Sequence, residues 1–403
     1  MPTIAFYSPG WPVTAFPNGI VTYIANMRAP LRALGYQSKV IAAKVAPGSH
    51  DPDVVAADSA AAKQRVRNLV DRVRARAVGG PSLGRIFARG VEAAFPIIEG
   101  KCRIDLLEVE ESFGASYYIQ QALRVPVVVR LHGPWFLNGP ALGVAQDQMY
   151  QERVASEGRA IRAAKAVTAP SQDVLDAVRK RYGVDLPDAQ VIFNPGPVVP
   201  PEQRWSRATC DRNKVLFIGR FDRHKGGDLV VDAFAELGKQ HRDVELLFVG
   251  PDRGVTIEGK SIDLPTYVAS RLTDPQIRDR FHWLGAKAAN ELAQLRRSAL
   301  VTIVASRYEN LPMTVVEALA FGSPLVAAET GGIKELVRHE RTGLLFHPGD
   351  ARDLAENVSR LLQDPAAAER LAQAARDDYE ARLAPAVVAQ AMSGFYDRVL
   401  GRR

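Results

Sequence analysis

Two glutamates, Glu309 and Glu317, lie on either side of Pro312 in the segment SRYENLPMTVVEALAFGSPLVA (306–327). The preceding run, ALVTIVA, predicts a buried strand, and Pro312 suits the first residue of a helix that ends at Gly322. Free backbone amides at a helix start attract anions, so this turn indicates a phosphate site. A carboxylate set back from that site can accept hydrogen bonds from the neutral hydroxyls of a ribose or sugar. Acidic residues near a helix start can equally act only by a favourable interaction with the helix dipole. The sequence leaves both interpretations, ligand binding and helix stabilisation, open.

A second segment, FIGRFDRHKGGDLVVDAF, contains two cations that can bind a diphosphate. Arg220 and Lys225 follow a predicted strand that ends at Gly219, and they precede a helix that starts near Gly227 or Asp228. Cations in a glycine-containing turn at the carboxyl end of a strand are typical of a pyrophosphate clamp. The turn does not match the Walker sequence GxxxxGK[ST], and loop cations are often simply solvated.

The first half of the chain adds His132 and Gly19. His132 follows a buried strand in VVVRLHGPW, and Gly19 lies in the loop SPGWPVTAFPNGIVTYIA after the first strand. We expect both to face a cleft between two domains. A histidine near a strand end is more often structural, and PNG is primarily a turn signal. The DPD sequence of Asp51 and Asp53 resembles an acidic metal pair only superficially, and we interpret it as a turn.

The elements that must position these residues follow an alternating pattern. Short β-branched runs alternate with amphipathic helical stretches, which predicts a parallel α/β fold. The pattern restarts with KVLFIGRF after a proline-rich stretch, which indicates a second doubly wound domain. We predict one domain over residues 1–205, a second over 206–380, and a C-terminal helical segment, 381–403, that packs back on the first domain.

One segment of the first half, residues 61–94, predicts basic amphipathic helices. Its apolar positions are Val66, Leu69, Val70, Val73, Leu83, Ile86, Phe87 and Val91. Its basic positions are Lys63, Arg65, Arg67, Arg72, Arg74, Arg76, Arg85 and Arg89. Such helices can lie on an anionic membrane surface. They can equally form a solvated helix pair that packs on its own domain.

The composition sets wider limits on function. A chain of 403 residues is too long for one ordinary core, so two domains are expected. A formal net charge of +7 suits a nucleic acid, a membrane surface or a phosphorylated substrate. Zinc-finger, RNP and basic-zipper patterns are missing from the sequence, so nucleic acid is the least favoured. Cys102 and Cys210 lie far apart and predict neither a disulfide framework nor a zinc site.

The apolar runs bear on localisation. All are shorter than the roughly 20 residues that cross a bilayer, and the first residues predict a strand and a turn rather than a signal peptide. We therefore expect a cytoplasmic protein. The basic segment 61–94 adds the alternative of peripheral attachment to the inner face of the cytoplasmic membrane.

In this order and with these spacings, the motifs resemble the retaining glycosyltransferases of family four. The resemblance rests on the E-x7-E spacing of Glu309 and Glu317, with EALAFGSP and TGGIKELVRHERTGLLFHPGD, and on GRFDRHKG and RLHG. It implies an α/β fold of GT-B architecture, in which two Rossmann-like doubly wound domains face each other across a cleft. Two positions depart from the family pattern: Asn18 replaces a frequent first glycine, and Pro195 interrupts the usual Asn-Gly turn.

The resemblance also implies roles for the candidate residues. The second domain would hold a nucleotide-diphosphate sugar, and the first domain would hold the acceptor. Donor contacts would come from Arg220 and Lys225 on the diphosphate, Glu317 on the ribose, and Glu309 with Asn310, Leu311 and Pro312 on the sugar and phosphate. His132 would lie close to the transferred sugar, and Gly19 would let the first loop approach the phosphates.

The implied activity is transfer of a hexosyl group from a UDP- or GDP-sugar to the hydroxyl of a sugar or lipid-linked acceptor. The family context places this reaction in the synthesis of cell-envelope polysaccharide, glycolipid or lipopolysaccharide, without a metal cofactor. Two alternatives remain open. One is a nucleotide-sugar epimerase of the same fold, and the other is a non-catalytic nucleotide-sugar-binding subunit of a transferase complex.

Overall fold

The computed structural model describes residues 1–57, 82–100 and 102–402, which form two compact units. Unit 1 comprises Met1–Pro140, Val144–Pro195 and Pro385–Arg403. Unit 2 comprises Ala141–Gly143 and Gly196–Ala384. The chain therefore passes from unit 1 into unit 2 and returns to unit 1 at its C-terminus.

The centre of unit 1 is a parallel sheet of buried, β-branched strands. Its strands are β1 (Thr3–Ser8), β2 (Gln37–Ala42), β3 (Val54–Ala56), β4 (Leu106–Glu110), β5 (Val127–Arg130), β6 (Ala166–Ala169) and β7 (Gln190–Val191). Their order is β3-β2-β1-β4-β5-β6-β7. In this register Ile4 of β1 pairs with Ser38 on one side and Leu106 on the other. The order reverses between β1 and β4, which is where doubly wound sheets bind ligands.

Helices cover the faces of this sheet. They are α1 (Gly19–Ala33), α2 (Leu83–Glu99), α3 (Ala115–Ala122), α4 (Trp135–Ala141), α5 (Gln148–Ala163) and α6 (Gln172–Tyr182), with a 3₁₀ turn at Ser112–Gly114. Polar side chains start several of them. Asn18, Asp147 and Ser171 each accept a hydrogen bond from a backbone amide in the first turn that follows.

Only part of the predicted basic segment can be compared with the structure. Residues 61–81 lie outside the described residues. They include the predicted apolar positions Val66, Leu69, Val70 and Val73 and the predicted basic positions Lys63, Arg65, Arg67, Arg72, Arg74 and Arg76. The remainder, 82–94, belongs to α2, which buries Val91 in the core of unit 1 and exposes Arg85 and Arg89. The predicted apolar face is therefore only partly buried, because Leu83 is 53% exposed.

Unit 2 contains a second parallel sheet with the same order of connections. Its strands are β8 (Asp211–Ile218), β9 (Glu245–Val249), β12 (Phe281–Trp283), β13 (Ala299–Val304), β14 (Leu325–Ala328) and β15 (Leu344–Phe346). An antiparallel hairpin of β10 (Val255–Ile257) and β11 (Lys260–Ile262) follows β9. The sheet order is β12-β9-β8-β13-β14-β15, so the reversal falls between β8 and β13.

The helices of unit 2 pack on both faces of its sheet. They are α7 (Gly227–Gln240), α8 (Leu264–Arg271), α9 (Pro275–Arg278), α10 (Ala289–Ser298), α11 (Met313–Phe321), α12 (Ile333–Leu336), α13 (Ala351–Gln363) and α14 (Pro365–Arg382), with a 3₁₀ turn at Pro201–Gln203. Unit 2 begins at Gly196, earlier than the predicted boundary after residue 205. The reason is that residues 196–205 already contact unit 2. The Gly196 amide donates to the Leu383 carbonyl oxygen at 3.0 Å, the Tyr379 hydroxyl donates to the Pro197 carbonyl oxygen at 2.6 Å, and Trp205 is buried in the core of unit 2.

The last helix, α15 (Pro385–Val399), belongs to unit 1. Val388, Met392 and Phe395 are buried in the same core as helix α1. The Tyr396 hydroxyl donates to the buried Glu108 carboxylate at 2.7 Å. The returning segment starts at Pro385 rather than at residue 381, because α14 continues to Arg382 within unit 2.

Across the described ranges, no helix combines the length and the apolar character needed to cross a bilayer.

Candidate active site

The candidate site of unit 2 is formed by the loops that follow β8 and β13, the two strands at the reversal of the sheet order. These loops approach each other closely at Gly226, which has a positive φ of 72°. A Cβ atom added to Gly226 would lie 2.0 Å from the Ala305 carbonyl oxygen. Glycine is therefore required at this position for both conformation and space.

An ion pair joins the two loops. The Lys225 ammonium donates to the Glu309 carboxylate, although the two residues lie 84 positions apart in the chain. Burial by itself raises the pKa of the Glu309 carboxyl, but the charge of Lys225 and the weaker contributions of neighbouring groups together hold that pKa below its ordinary value. Glu309 is therefore ionised at neutral pH.

Asp222 organises the cationic turn and was not among the predicted site residues. One carboxylate oxygen accepts from the Lys225 backbone amide at 2.7 Å, and the other accepts from Arg220 Nε at 2.6 Å. The turn thus holds Arg220 and Lys225 on one side of the loop. The sequence carries a weak signal for this role, since an aspartate often caps the turn that follows it.

Three further contacts stabilise the same loops. His224 Nε2 donates to the Tyr308 carbonyl oxygen at 2.9 Å. Arg307 forms a bidentate ion pair with Asp228, with both nitrogen to oxygen distances at 2.8 Å. Burial lowers the pKa of His224, so this histidine is neutral at pH 7 and adds no charge to the cationic turn.

A third loop, after β14, supports the backbone of Glu309. The Gly332 amide donates to the Glu309 carbonyl oxygen at 2.9 Å. A Cβ atom at Gly331, where φ is 46°, would lie 2.2 Å from that same oxygen. Glycine is therefore needed at position 331 for this close approach, which supports the backbone of Glu309.

The helix start that follows Glu309 differs by one residue from the prediction. Pro312 has an extended ψ of 122° and precedes the helix, so α11 begins at Met313. The Pro312 carbonyl oxygen accepts from the Val315 amide at 3.1 Å. Leu311 is buried, and Asn310 lies between it and Glu309.

Glu317 has a cation partner of its own. Arg296 of α10 donates to the Glu317 carboxylate of α11. Only 2% of Arg296 is exposed, whereas 29% of the Glu317 side chain is exposed. Arg296 was not predicted as a site residue, because a basic residue on the polar helix AANELAQLRRS is expected to be solvated.

The two predicted residues of the first half lie in unit 1. His132 and Gly133 donate their backbone amides to the Glu111 carboxylate at 2.9 and 2.8 Å. Burial raises the pKa of Glu111 to about 8. Burial and the nearby charge of Arg130 lower the pKa of His132 well below its ordinary value, so this imidazole is neutral. Its ring packs edge-on against Tyr23 at 5.3 Å between centroids.

Gly19 is the first residue of α1. Asn18 accepts from the Ile20 amide at 2.8 Å, which starts the helix at this point. A Cβ atom built on Gly19 meets no atom within 4 Å in the structure. The geometry of unit 1 therefore does not itself require glycine here, and the proposed approach to phosphates stays a prediction.

Asp51 and Asp53 form ion pairs rather than an isolated acidic pair. Arg28 contacts Asp51 at 2.5 Å, and Lys39 contacts Asp53 at 2.7 Å. The described ranges 1–57, 82–100 and 102–402 contain no group of three or more His, Cys, Asp or Glu side chains arranged to hold a metal ion.

The structure thus brings Arg220, Lys225 and Glu309 together at the reversal of the sheet order in unit 2. Glu317 lies on the helix that follows, beside Arg296. A doubly wound parallel sheet with cations and a helix start at this edge defines a nucleotide-binding α/β class.

The comparisons with known proteins give the family within this class. The family described as "Glycosyltransferase Family 4" matches residues 17–195, and the family described as "Glycosyl transferases group 1" matches residues 201–378. Together the two matches cover most of the chain. The chain belongs to the family 4 glycosyltransferases, a class of enzymes, and the resemblance stated from the sequence is confirmed.

Two relatives illustrate the range of the family. Alpha-D-kanosaminyltransferase of Streptomyces kanamyceticus is 25% identical over 296 residues, which are 70% of this chain and 73% of that protein. D-inositol 3-phosphate glycosyltransferase of Gordonia bronchialis is 27% identical over 267 residues, 63% of this chain. That match spans only 56% of the second relative's length.

Two solved structures show the fold. Sucrose-phosphate synthase from Thermosynechococcus elongatus has a TM-score of 0.74 at 21% identity, over 100% of both chains. HepE of Anabaena in complex with UDP-glucose has a TM-score of 0.66 at 19% identity, over 98% of this chain and 99% of that one. The predicted GT-B fold of two parallel-sheet α/β domains is confirmed.

Proposed function

We propose that this protein is a retaining glycosyltransferase that moves a hexosyl group from a UDP- or GDP-sugar to an acceptor hydroxyl without a metal. The observation that carries the proposal is the turn after β8, where Asp222 holds Arg220 and Lys225 at the reversal of the sheet order. Two fixed cations at this position suit a diphosphate.

Arg220 and Lys225 act on the leaving group in this proposal. As the acceptor oxygen bonds to the anomeric carbon, the bond from that carbon to the diphosphate oxygen breaks and negative charge grows on the diphosphate, whose departing oxygen takes the proton of the acceptor hydroxyl. Fixed cations stabilise this charge in the transition state. Lys225 already contacts Glu309, but an ammonium has three donors, so it can bind the diphosphate and keep this contact.

The remaining donor residues bind the neutral parts of the molecule. The ionised Glu309 carboxylate accepts hydrogen bonds from the sugar hydroxyls and offsets positive charge at the anomeric carbon. The amides of Asn310 and Leu311, ahead of Pro312, contact the phosphate and sugar. Glu317, oriented by Arg296, accepts hydrogen bonds from the ribose. Retention follows from attack on the same face that the diphosphate leaves, without an enzymic nucleophile.

His132 and Gly19, which lie in unit 1, are the other two residues to which the proposal gives a role. A neutral imidazole can hydrogen-bond a sugar hydroxyl without adding charge near the anomeric carbon. The open space around Gly19 leaves room for a phosphate beside the first loop. The UDP-glucose complex of HepE, a structure of the same fold, supports a UDP-sugar as the donor.

The acceptor and the location of the protein are a separate part of the proposal. We propose a sugar or glycolipid acceptor of the cell envelope and a cytoplasmic enzyme that attaches to the inner membrane face. Support comes from the net charge of +7 and the exposed Arg85 and Arg89 on α2. Flotation with anionic liposomes at low salt tests it, and a protein that stays in the soluble fraction contradicts membrane attachment.

Thermal unfolding of the purified protein with UDP, GDP, ADP and their sugar conjugates, with and without EDTA, tests the donor site. A ligand at 100 times its dissociation constant adds about 2.7 kcal/mol of stability. We expect stabilisation by UDP or GDP and its sugar conjugates that EDTA does not change. Loss of the effect in EDTA contradicts the metal-free clamp, and no shift with any nucleotide contradicts the donor site.

A further inference from the structure

Unit 1 contains a cavity of about 290 Å³ that the proposed function does not use. It lies where α2 and α5 begin and where the chain follows β4 and β5, which is the carboxyl-end edge of the sheet. Its apolar lining consists of Leu83, Phe113, Trp135, Val144, Met149 and Tyr150. Leu83 is 53% and Met149 75% exposed, so apolar surface lines an opening to solvent.

A buried ion pair makes the walls of this cavity rigid. The Arg153 guanidinium lies between two aromatic rings, 3.9 Å from the Phe113 centroid and 3.7 Å from the Trp135 centroid. Arg153 Nε donates to the buried Glu157 carboxylate at 2.9 Å. Glu157 also accepts from the Trp135 amide at 2.7 Å and the Phe113 amide at 3.2 Å. The aromatic lining is therefore held in place before any ligand binds.

Among the described residues that line the cavity, the charged side chains other than Arg153 are acidic. The charge of Arg153 is balanced by Glu157. Asp147 and Glu152 also line the cavity, and Glu152 is exposed at its rim. Asp147 accepts a hydrogen bond from the Tyr150 backbone amide, and Glu152 accepts one from the Gln148 side chain. Both of these donors are neutral. A ligand with a phosphate or carboxylate near this rim would therefore be repelled, whereas a neutral or basic group would not.

The cavity is connected with His132 through one short turn. Trp135 follows His132 by three residues, and the turn is anchored at both ends by buried glutamates. Glu111 accepts from the His132 amide, and Glu157 accepts from the Trp135 amide. A molecule whose apolar part occupies the cavity therefore lies against Trp135, at the end of the turn that begins with His132.

We propose that this cavity binds the apolar part of the acceptor, and that the acceptor is a neutral or basic amphipathic molecule rather than a phosphorylated one. Its role as an acceptor rests on the proposed function, whereas the binding site itself does not. The apolar lining, the aromatic walls and the small volume suit a ring or short alkyl chain that enters from the solvent-exposed side. Asp147 and Glu152 disfavour an anionic group on the part of the ligand that lies next to them.

Three probes with the same alkyl chain test the proposal without a donor. These are octyl β-glucoside, octylamine and octyl phosphate, each below its critical micelle concentration. Binding is followed by Trp135 fluorescence, with the difference between wild type and Trp135→Phe giving the signal, and by calorimetry. We expect octyl glucoside and octylamine to bind about tenfold more tightly than octyl phosphate. Equal or tighter binding of octyl phosphate overturns the charge assignment.

Variants at exposed positions separate the cavity from non-specific binding. Met149→Glu adds charge to the lining, and Ile97→Glu makes the same change at a position that is 55% exposed on α2 and outside the cavity lining. We expect Met149→Glu to weaken octyl glucoside binding about tenfold or more and Ile97→Glu to leave it unchanged. Equal effects of the two substitutions overturn the site. Glu152→Gln should reduce the discrimination against octyl phosphate.

Nucleotide stabilisation of the same variants distinguishes the two proposals. Met149 lies in unit 1 and the cationic turn lies in unit 2, so Met149→Glu should retain the wild-type thermal shift with the donor nucleotide. Loss of octyl glucoside binding with a retained nucleotide shift supports the cavity. A wild-type protein that responds to nucleotide but to none of the three probes overturns the cavity and leaves the donor site intact. A wild-type protein that responds to the probes but to no nucleotide overturns the donor site alone.

Discussion

Lys225 and Glu309 depend on each other in the unliganded protein. Glu309 lies in a loop where burial disfavours its charge, and the adjacent ammonium is the largest of the several contributions that favour it. Asp222 holds the backbone of Lys225 through its amide, and Glu309 accepts from the Lys225 ammonium. The contribution of each residue to nucleotide binding and to transfer can therefore be separated by substitution.

Lys225→Ala should weaken binding of the nucleoside diphosphate while binding of the nucleoside stays nearly unchanged. One charge-assisted hydrogen bond is lost, worth about 1.5–3 kcal/mol, or roughly 10- to 150-fold in dissociation constant. Calorimetry with the nucleotide identified by thermal unfolding measures both constants. Lys239→Ala, at an exposed cation of α7 in the same unit, is the matched control. A parallel loss of nucleoside and diphosphate binding would count against the diphosphate clamp.

Glu309→Gln should abolish sugar transfer and leave nucleotide binding nearly intact. The amide has the size of the carboxylate but does not offset positive charge at the anomeric carbon, and it cannot accept on both sides. Transfer is measured as release of the nucleoside diphosphate with acceptor present, and binding is measured by calorimetry. Equal losses of binding and transfer would remove Glu309 from the sugar subsite and favour a role in the diphosphate clamp.

The ionisation of Glu309 should make the free energy of unfolding decrease as the pH falls into the acid range. Because its pKa is lowered by folding, its ionisation stabilises the folded protein above the unfolded carboxyl pKa of about 4.3. This stabilisation is lost as the pH falls through the lower folded pKa. The advantage of wild type over Glu309→Gln in urea unfolding should therefore shrink in acid. Glu356→Gln, an exposed control on α13, should show a smaller change.

At the scale of elements, α10 and α11 together determine the position of Glu317. Arg296 lies on α10, is almost fully buried, and reaches across to the carboxylate on α11. Since Arg296 is buried, it acts through Glu317 rather than by touching a ligand, and it is a positioning residue. Burying a cation requires a partner, so this pair also couples the packing of the two helices.

Arg296→Met should lower the preference for a ribose over a 2′-deoxyribose. Without its cation, Glu317 is no longer held in the orientation that accepts from the ribose hydroxyls. The readout is the ratio of dissociation constants for the deoxynucleotide and the ribonucleotide, which should fall towards the value of Glu317→Gln. Arg297→Met, at the next position of the same helix, is the control. An unchanged ratio in a folded Arg296→Met protein would limit Arg296 to packing.

At the scale of the molecule, unit 1 is built from three segments, of which the last, Pro385–Arg403, follows unit 2 in the sequence. Residues 1–195 supply the sheet, and α15 returns from beyond unit 2 to close the core over α1. Tyr396 reaches the buried Glu108 on β4, and Tyr36 donates to Asp397 at 2.7 Å. The last helix is therefore part of the core of unit 1.

A fragment of residues 1–195 should not fold stably by itself, whereas residues 196–384 should. Loss of Val388, Met392 and Phe395 removes about 1.5–3 kcal/mol each, against a typical total of about 5–15 kcal/mol. Circular dichroism and urea unfolding of both fragments measure this. Joining residues 385–403 to the first fragment through a flexible linker should restore a cooperative transition. Cooperative unfolding of 1–195 without that helix would contradict the prediction.

The sequence by itself determined the parallel α/β class, the presence of two such domains and the positions of Arg220, Lys225 and Glu309 in turns after strands. These features depend on local patterns of strand, turn and helix, which can be seen in one stretch of chain. The family resemblance added the GT-B fold and the roles, and the fold is confirmed while the residue roles stay predictions.

Only the tertiary structure decided which side chains meet. The strand order that makes β8 and β13 neighbours pairs Lys225 with Glu309 across 84 positions of sequence. The same dependence on distant neighbours explains why Asp222, Arg296 and Glu111 were not predicted. It also explains why the return of the chain to unit 1 at Pro385 was not predicted. Burial, which sets the charge of Glu309 and His132, is likewise a property of the packed core and not of a segment.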